Sequence, residues 1–149
     1  MTEQSWSGDV VVVGAGPAGM AAAKELSSAG LDVLVADENQ RPGGQIARQR
    51  FLEVHEDDDA ARAGTSLSSH LTFLGRAVCH GVVRPRELLL STPHGAVRAT
   101  GRALVVATGG LERVLPVPGW TTPGVMTAGA AQTFLKGSGF FPYRRVVVA

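Results

Sequence analysis

The sequence has one cysteine, one tyrosine and two tryptophans in 149 residues, and its 14 basic and 13 acidic side chains almost cancel. Each scarcity closes a door. A lone Cys79 permits neither a disulfide framework nor a Cys-x-x-Cys redox pair within this chain. Set in "RAVCHGVV", it reads as a small apolar residue. A net charge of +1 gives no reason to expect nucleic acid or an acidic membrane as partner. The arginine pairs Arg48/Arg50, Arg84/Arg86 and Arg144/Arg145 have no aromatic residues interleaved and read as solvated surface or strand ends. No apolar run is long enough for a spanning helix. The polar opening "MTEQSWSGD" is not a signal peptide, so a cytoplasmic setting is expected. His55, His70, His80 and His94 stand in surface or turn contexts, and no general base offers itself.

What is abundant is glycine, at 19 residues, in a chain that is 44% hydrophobic and 18% charged, the balance of a globular domain. Residues 9–13 form a short β-branched apolar run, as expected of a buried parallel strand. A glycine turn follows, with Pro17 at a first-turn helical position. Residues 18–29 read as a helix capped by Gly30, and residues 31–36 as a second strand ending at Asp37. The acidic stretch within 53–71 reads as a solvent-facing helix with its carboxylates at the positive end. Residues 72–100 alternate short apolar runs and turns and predict an antiparallel meander. Residues 103–107 predict another buried strand. The proline-rich stretch 111–124 has no regular pattern. Residues 127–137 predict a short helix with Thr127 and Gly137 as caps. The expected architecture is an α/β three-layer sandwich: parallel strands near 10–13, 32–36 and 103–107, plus the meander.

The turn Gly14-x-Gly16-x-x-Gly19 follows a strand and opens a helix, with an acidic residue closing the next strand. In that setting it is a dinucleotide-binding fingerprint. Gly14 permits the tight turn, Gly16 admits a pyrophosphate, and Gly19 lets helix and strand pack. The helix N-terminus presents N–H groups to phosphates. Asp37, or Glu38 beside it, would accept the ribose hydroxyls, and a carboxylate there disfavours NADP. FAD and NAD remain equally compatible with this turn.

Two later motifs separate them. "RPGGQ" (residues 41–45) puts adjacent glycines where a long cofactor would pass, and "LVVATGG" (104–110) is a strand ending in Ala-Thr-Gly. With these the chain resembles the FAD-dependent, two-dinucleotide-binding flavoproteins of the pyridine nucleotide-disulfide oxidoreductase type. "RPGGQI" and residues 107–139 most resemble the large (alpha-type) subunits of opine and octopine oxidases, hydroxyproline dehydrogenase, hydrogen cyanide synthase and sarcosine oxidase. The chain departs from the family in having Gly110 and Leu111 where alanine or arginine is frequent. The resemblance implies a Rossmann-like FAD-binding domain. It assigns Gly14, Gly16, Pro17, Ala18 and Gly19 to the pyrophosphate and Asp37 to the ribose. Gly44 and Gln45 fall near the flavin, Val78 offers its backbone to adenine, and Ala107, Thr108 and Gly109 form a turn close to the cofactor. It assigns no catalytic residue and no metal.

The same resemblance implies a flavin-dependent oxidoreductase acting on an amine, opine or imino acid, whose partner is a second flavoprotein (beta) subunit. The alternatives are a non-catalytic cofactor-binding or assembly subunit, or a piece of an NAD(P)H-dependent flavin reductase. In the family a second nucleotide domain interrupts the first, and "RRVVVA" resembles its opening strand. The expected division is therefore 1–143 as the N-terminal part of an incomplete FAD domain and 144–149 as the start of the second. The chain is expected to be a fragment, with its last valines frayed or irregularly docked.

Overall fold

The computed structural model describes residues 4–47, 65–140 and 144–148. The frame is one seven-stranded sheet with strand order β3-β4-β2-β1-β7-β6-β5. β1 (Gln4–Val13) pairs in parallel with β2 (Val33–Ala36) on one side and β7 (Gly95–Val106) on the other. β2 pairs in parallel with β4 (Leu71–Leu74), and β3 (Thr65–Ser68) closes that edge antiparallel. β5 (Val78–Arg84) and β6 (Glu87–Thr92) continue the sheet antiparallel beyond β7.

The valines of β1 explain the layering, because successive side chains point to opposite faces. Val10 and Val12 join Val33, Val35, Phe73 and Ala23 in the core under α1 (Pro17–Ser28). Val11 faces the other way and joins Leu34, Leu74, Leu88, Leu90, Val97 and Ala99, so the meander covers the second face. Helix, parallel sheet and meander are the three expected layers. Each buried valine or leucine contributes about 1.5–3 kcal/mol. α1 ends as its sequence predicts: Gly30 takes φ 82°, its N–H donates to Ser27 O, and the Leu31 N–H donates to Leu26 O, the paired bonds of a left-handed glycine cap.

The structure corrects several sequence expectations. β1 starts at Gln4, inside the polar opening, because β7 runs beside it from Val97 onward and supplies backbone partners all the way down. The runs at 96–100 and 103–107 are one strand. The first half of β7 faces β6 and residues 97–106 face β1, so it belongs to the meander and the parallel sheet together. Residues 71–74 are a parallel strand beside β2, not the start of the meander. The helix expected over 53–71 is strand at 65–68, and the acidic run 56–59 lies outside the described residues. Arg48, Arg50 and His55 lie outside them too.

After β7 the chain runs without regular structure to α2 (Ala128–Thr133), which continues as a π turn (Phe134–Ser138). Thr127 caps α2 as expected, its hydroxyl accepting from the Ala130 N–H at 3.2 Å. The left-handed cap at the far end is Gly139, not Gly137, since the π turn carries the helix one step further. Arg144 to Val148 form no strand among the described residues, and Val147 is 92% exposed.

Candidate functional site

The carboxyl ends of β1, β2 and β7 lie side by side, with Val13 paired to Ala36 and to Val106. In open α/β sheets this is the edge where ligands sit. Three loops leave from it, and the structure ties them together through backbone atoms. Gly14 N donates to Ala36 O at 2.8 Å, Ala107 N to Val13 O at 2.8 Å, and Gly43 N to Ala15 O at 2.8 Å. Glycine turn, Gly-Gly loop and Ala-Thr-Gly turn are thus one assembly.

The glycines divide into two kinds. A Cβ on Gly14 would strike the Ala107 carbonyl, and Gly14 takes φ 103°. A Cβ on Gly19 would strike the Gly14 carbonyl oxygen. One on Gly44, at φ 55°, would lie 2.9 Å from the Gly16 Cα. The protein's own packing demands these three. Gly16 is different: its φ of −68° suits any residue, and a Cβ there would meet nothing within 4 Å. The space over Gly16 is open, and the fold itself gives no reason to keep it so.

Gly16 is also the N-cap of α1 and supplies no side-chain acceptor, and Pro17 follows. The first-turn N–H groups of Ala18 and Gly19 have no carbonyl one turn earlier in the helix. Open space, unfilled donors and the positive end of a helix dipole coincide, the arrangement that suits a pyrophosphate. A dinucleotide therefore fits the residues present.

Asp37 is buried at 8% exposure, and its carboxylate is engaged by its own chain. Oδ2 accepts from the Ala15 N–H at 2.6 Å, while Oδ1 accepts from the Asn39 N–H at 2.7 Å and the Asn39 amide at 2.8 Å. These bonds pin the glycine turn to the end of β2. Glu38, next to it, is exposed. Val78 opens β5 half-exposed, one residue beyond Ala77, whose N–H donates to Asp37 O at 2.8 Å. The residues assigned to ribose and adenine are thus neighbours. Thr108 and Gly109 are exposed at the end of β7, and Gln45 Nε2 reaches Gly110 O at 3.5 Å.

Sequence reasoning missed four participants. Asn39 has a local signal, since an aspartate accepting from the N–H two residues on makes an Asx turn. Arg76 does not: it sits at φ 53°, donates from Nη2 to Gln40 Oε1 at 2.8 Å and from its N–H to Asn39 O at 3.1 Å, and so clamps the turn after β2. Lys136 Nζ donates to the carbonyls of Ile46 and Gln45. Glu112 accepts the Gly129 N–H with both carboxylate oxygens at 2.9 Å, and a hydrogen bond from Thr127, then that N–H, holds its carboxyl below the usual range.

The remaining histidines stay apart from this edge. His70 pairs with Asp32 at 2.8 Å at the opposite end of the strands, and His80 contacts Ser91 Oγ at 2.8 Å. No metal-binding group of three ligands occurs among the described residues, nor any helix long and apolar enough to cross a membrane. Cys79 is half-buried and packs on the meander-side core.

Comparison with known proteins agrees with this geometry. The A-type subunit of opine oxidase from Agrobacterium tumefaciens (strain Ach5) is 41% identical over 94% of this chain and 31% of its own length. The alpha subunit of sarcosine oxidase from Corynebacterium sp. (strain P-1) is 34% identical over 95% of the chain and 17% of its own. The chain thus spans less than a third of these relatives. The crystal structure of L-proline dehydrogenase from P. horikoshii superposes with a TM-score of 0.69 over 91% of this chain and 29% of that one, at 20% identity, and shows the fold. Residues 8–148 match the family described as pyridine nucleotide-disulphide oxidoreductase. The chain belongs to that family and carries its FAD-binding region.

Proposed function

We propose that the chain is the FAD-binding part of the alpha-type subunit of a flavoenzyme that oxidises an amine, opine or imino acid, working beside a second flavoprotein subunit in the cytoplasm. The observation that carries the reading is the open space over Gly16 at the N-terminus of α1, joined to the Gly43-Gly44 and Ala107-Thr108-Gly109 loops. Identity to the A-type subunit of opine oxidase over nearly the whole chain supports the substrate class.

In this reading Gly14, Gly16, Pro17, Ala18 and Gly19 form the pyrophosphate cradle, with the Ala18 and Gly19 N–H groups as donors. Asp37 holds the cradle in shape through Ala15, and its remaining lone pair or the exposed Glu38 receives the ribose hydroxyls. Val78 borders the adenine. Gly44, Gln45, Ala107, Thr108 and Gly109 line the path toward the flavin. Bound FAD supplies the hydride acceptor for the C–H bond next to the amine nitrogen. The chain's own residues bind and orient, and among the described residues none near the site is placed as a proton carrier. Residues 1–143 belong to the FAD domain and 144–149 to the start of a second nucleotide domain. That division rests on the strand-like pattern of "RRVVVA".

The test is a titration of the purified chain with FAD, ADP and NADP, followed by flavin fluorescence and absorbance. Binding of FAD and ADP with NADP much weaker is the expected result. NADP binding with no response to FAD would sink the assignment. For the activity, the complete enzyme with its partner is assayed for amine-dependent dye reduction. Full activity after Gly14→Val/Gly16→Val would instead favour a subunit whose nucleotide site is not needed for turnover.

A further inference from the structure

We infer that Lys136 is a positioning residue for the flavin side of the cofactor site, holding residues 43–47 in place against the glycine turn. The inference rests on the proposed FAD reading and adds to it a residue from the far end of the chain. Lys136 lies in the π turn Phe134–Ser138, a rare local structure that recurs at functional sites. Its ammonium donates to Ile46 O at 2.5 Å and Gln45 O at 3.4 Å, bridging some 90 residues of sequence. The loop it grips is bound on its other side to the cradle. Gly43 N donates to Ala15 O, Gly44 lies against the Gly16 Cα, and Ala47 N donates to Gly43 O at 3.0 Å. Gln45 also reaches across to Gly110 O.

The lysine is half-buried, and among the described residues its partners are carbonyls with no carboxylate at ion-pair distance. A charge-assisted bond to a neutral acceptor is stronger than a neutral one, yet it leaves the charge in place. An ammonium held so serves to fix the backbone it touches. In the proposed FAD reading Gly44 and Gln45 line the path toward the flavin, so the loss of Lys136 is expected to act more on the flavin half of the ligand than on the ADP half.

The experiment compares the unsubstituted chain with Lys136→Met and Lys136→Arg. FAD affinity is read by fluorescence, ADP affinity by calorimetry, and backbone hydrogen exchange at residues 43–47 without ligand. Lys136→Met is expected to weaken FAD by about 10-fold and ADP by less than about 2-fold, with faster exchange at 43–47. Lys136→Arg restores most of the FAD affinity. Equal weakening of FAD and ADP would reduce Lys136 to general structural support and overturn the inference, as would unchanged FAD affinity or unchanged exchange in Lys136→Met. If the unsubstituted chain binds ADP but not FAD, the FAD reading fails. Exchange at 43–47 then still reports whether Lys136 holds that loop.

Discussion

The two ends of the parallel strands are finished in opposite ways. At the amino ends, backbone bonds from Asp9 and Val10 to Asp32 O and from Val33 to His70 O are flanked by charged side chains: Asp9 accepts the Asp32 N–H at 3.0 Å and bonds Arg102 at 3.3 Å, and His70 pairs with Asp32. These groups are largely exposed, so each pair adds little. At the carboxyl ends, backbone meets backbone with glycines at the contacts, and a single buried carboxylate, Asp37, joins two loops. The second end also leaves the first-turn donors of α1 unfilled. Within the binding end, stability and ligand space are therefore carried by different glycines: Gly14, Gly19 and Gly44 by packing, Gly16 by the room it leaves.

That separation can be broken in graded steps. The largest effect is expected from Gly19→Val, since a Cβ there collides with the Gly14 carbonyl oxygen in a fully packed position. A loss of about 3 kcal/mol in urea unfolding is expected. Gly16→Val is the sharp contrast. Its backbone angles suit valine, so unfolding should shift by no more than about 1 kcal/mol. FAD and ADP affinity should still fall by more than about 10-fold. Wild-type affinity in Gly16→Val would mean that the open space is not the pyrophosphate site.

Asp37→Asn comes next. It removes a charged acceptor from the Ala15 N–H and should cost about 1–3 kcal/mol of stability. Comparison with Glu38→Gln assigns the ribose acceptor. If Glu38 receives the hydroxyls, Glu38→Gln weakens ADP while leaving the unfolding midpoint alone. The smallest effect belongs to the other end. His70→Gln should change stability by less than about 1 kcal/mol, and the difference should shrink further in high salt.

The cap on α2 offers a pH counterpart. Glu112 has its folded pKa lowered, so its contribution is complete above the ordinary carboxylate range and is lost as pH falls through the lowered value. The protection of the Gly129 amide, measured against its intrinsic exchange rate at each pH, should fall on acidification, and Glu112→Gln should flatten that response. An equal loss of protection in Glu112→Gln would assign the acid effect to another group.

The sequence carried the βαβ unit in plain sight, because periodicity, turn glycines and a helix cap all point the same way between residues 9 and 37. The three glycine motifs were legible as motifs, and so was the irregular stretch 111–124. What could not be read was pairing across distance. The polar residues Gln4 to Gly8 become strand only because β7 runs beside them. Leu71 to Leu74 look like the start of a meander until β2 is placed next to them. In the site, Asp37 reads as a ligand acceptor, yet its bonds to Ala15 and Asn39 are visible only once the turn is folded. Lys136 has no local signal, since its partners lie some 90 residues earlier.

The length of β7 has a consequence for how the domain comes together. β1 precedes one of its two neighbours by roughly 90 residues of chain. Until that neighbour arrives, one flank of the central strand shows bare amides and carbonyls beside its most apolar residues. Pairings so distant in sequence are slow to form, because the intervening loop must lose its freedom before any contact repays it. Refolding from denaturant should accordingly be slow and strongly concentration-sensitive, with the unpaired flank of β1 as the place where one molecule captures another.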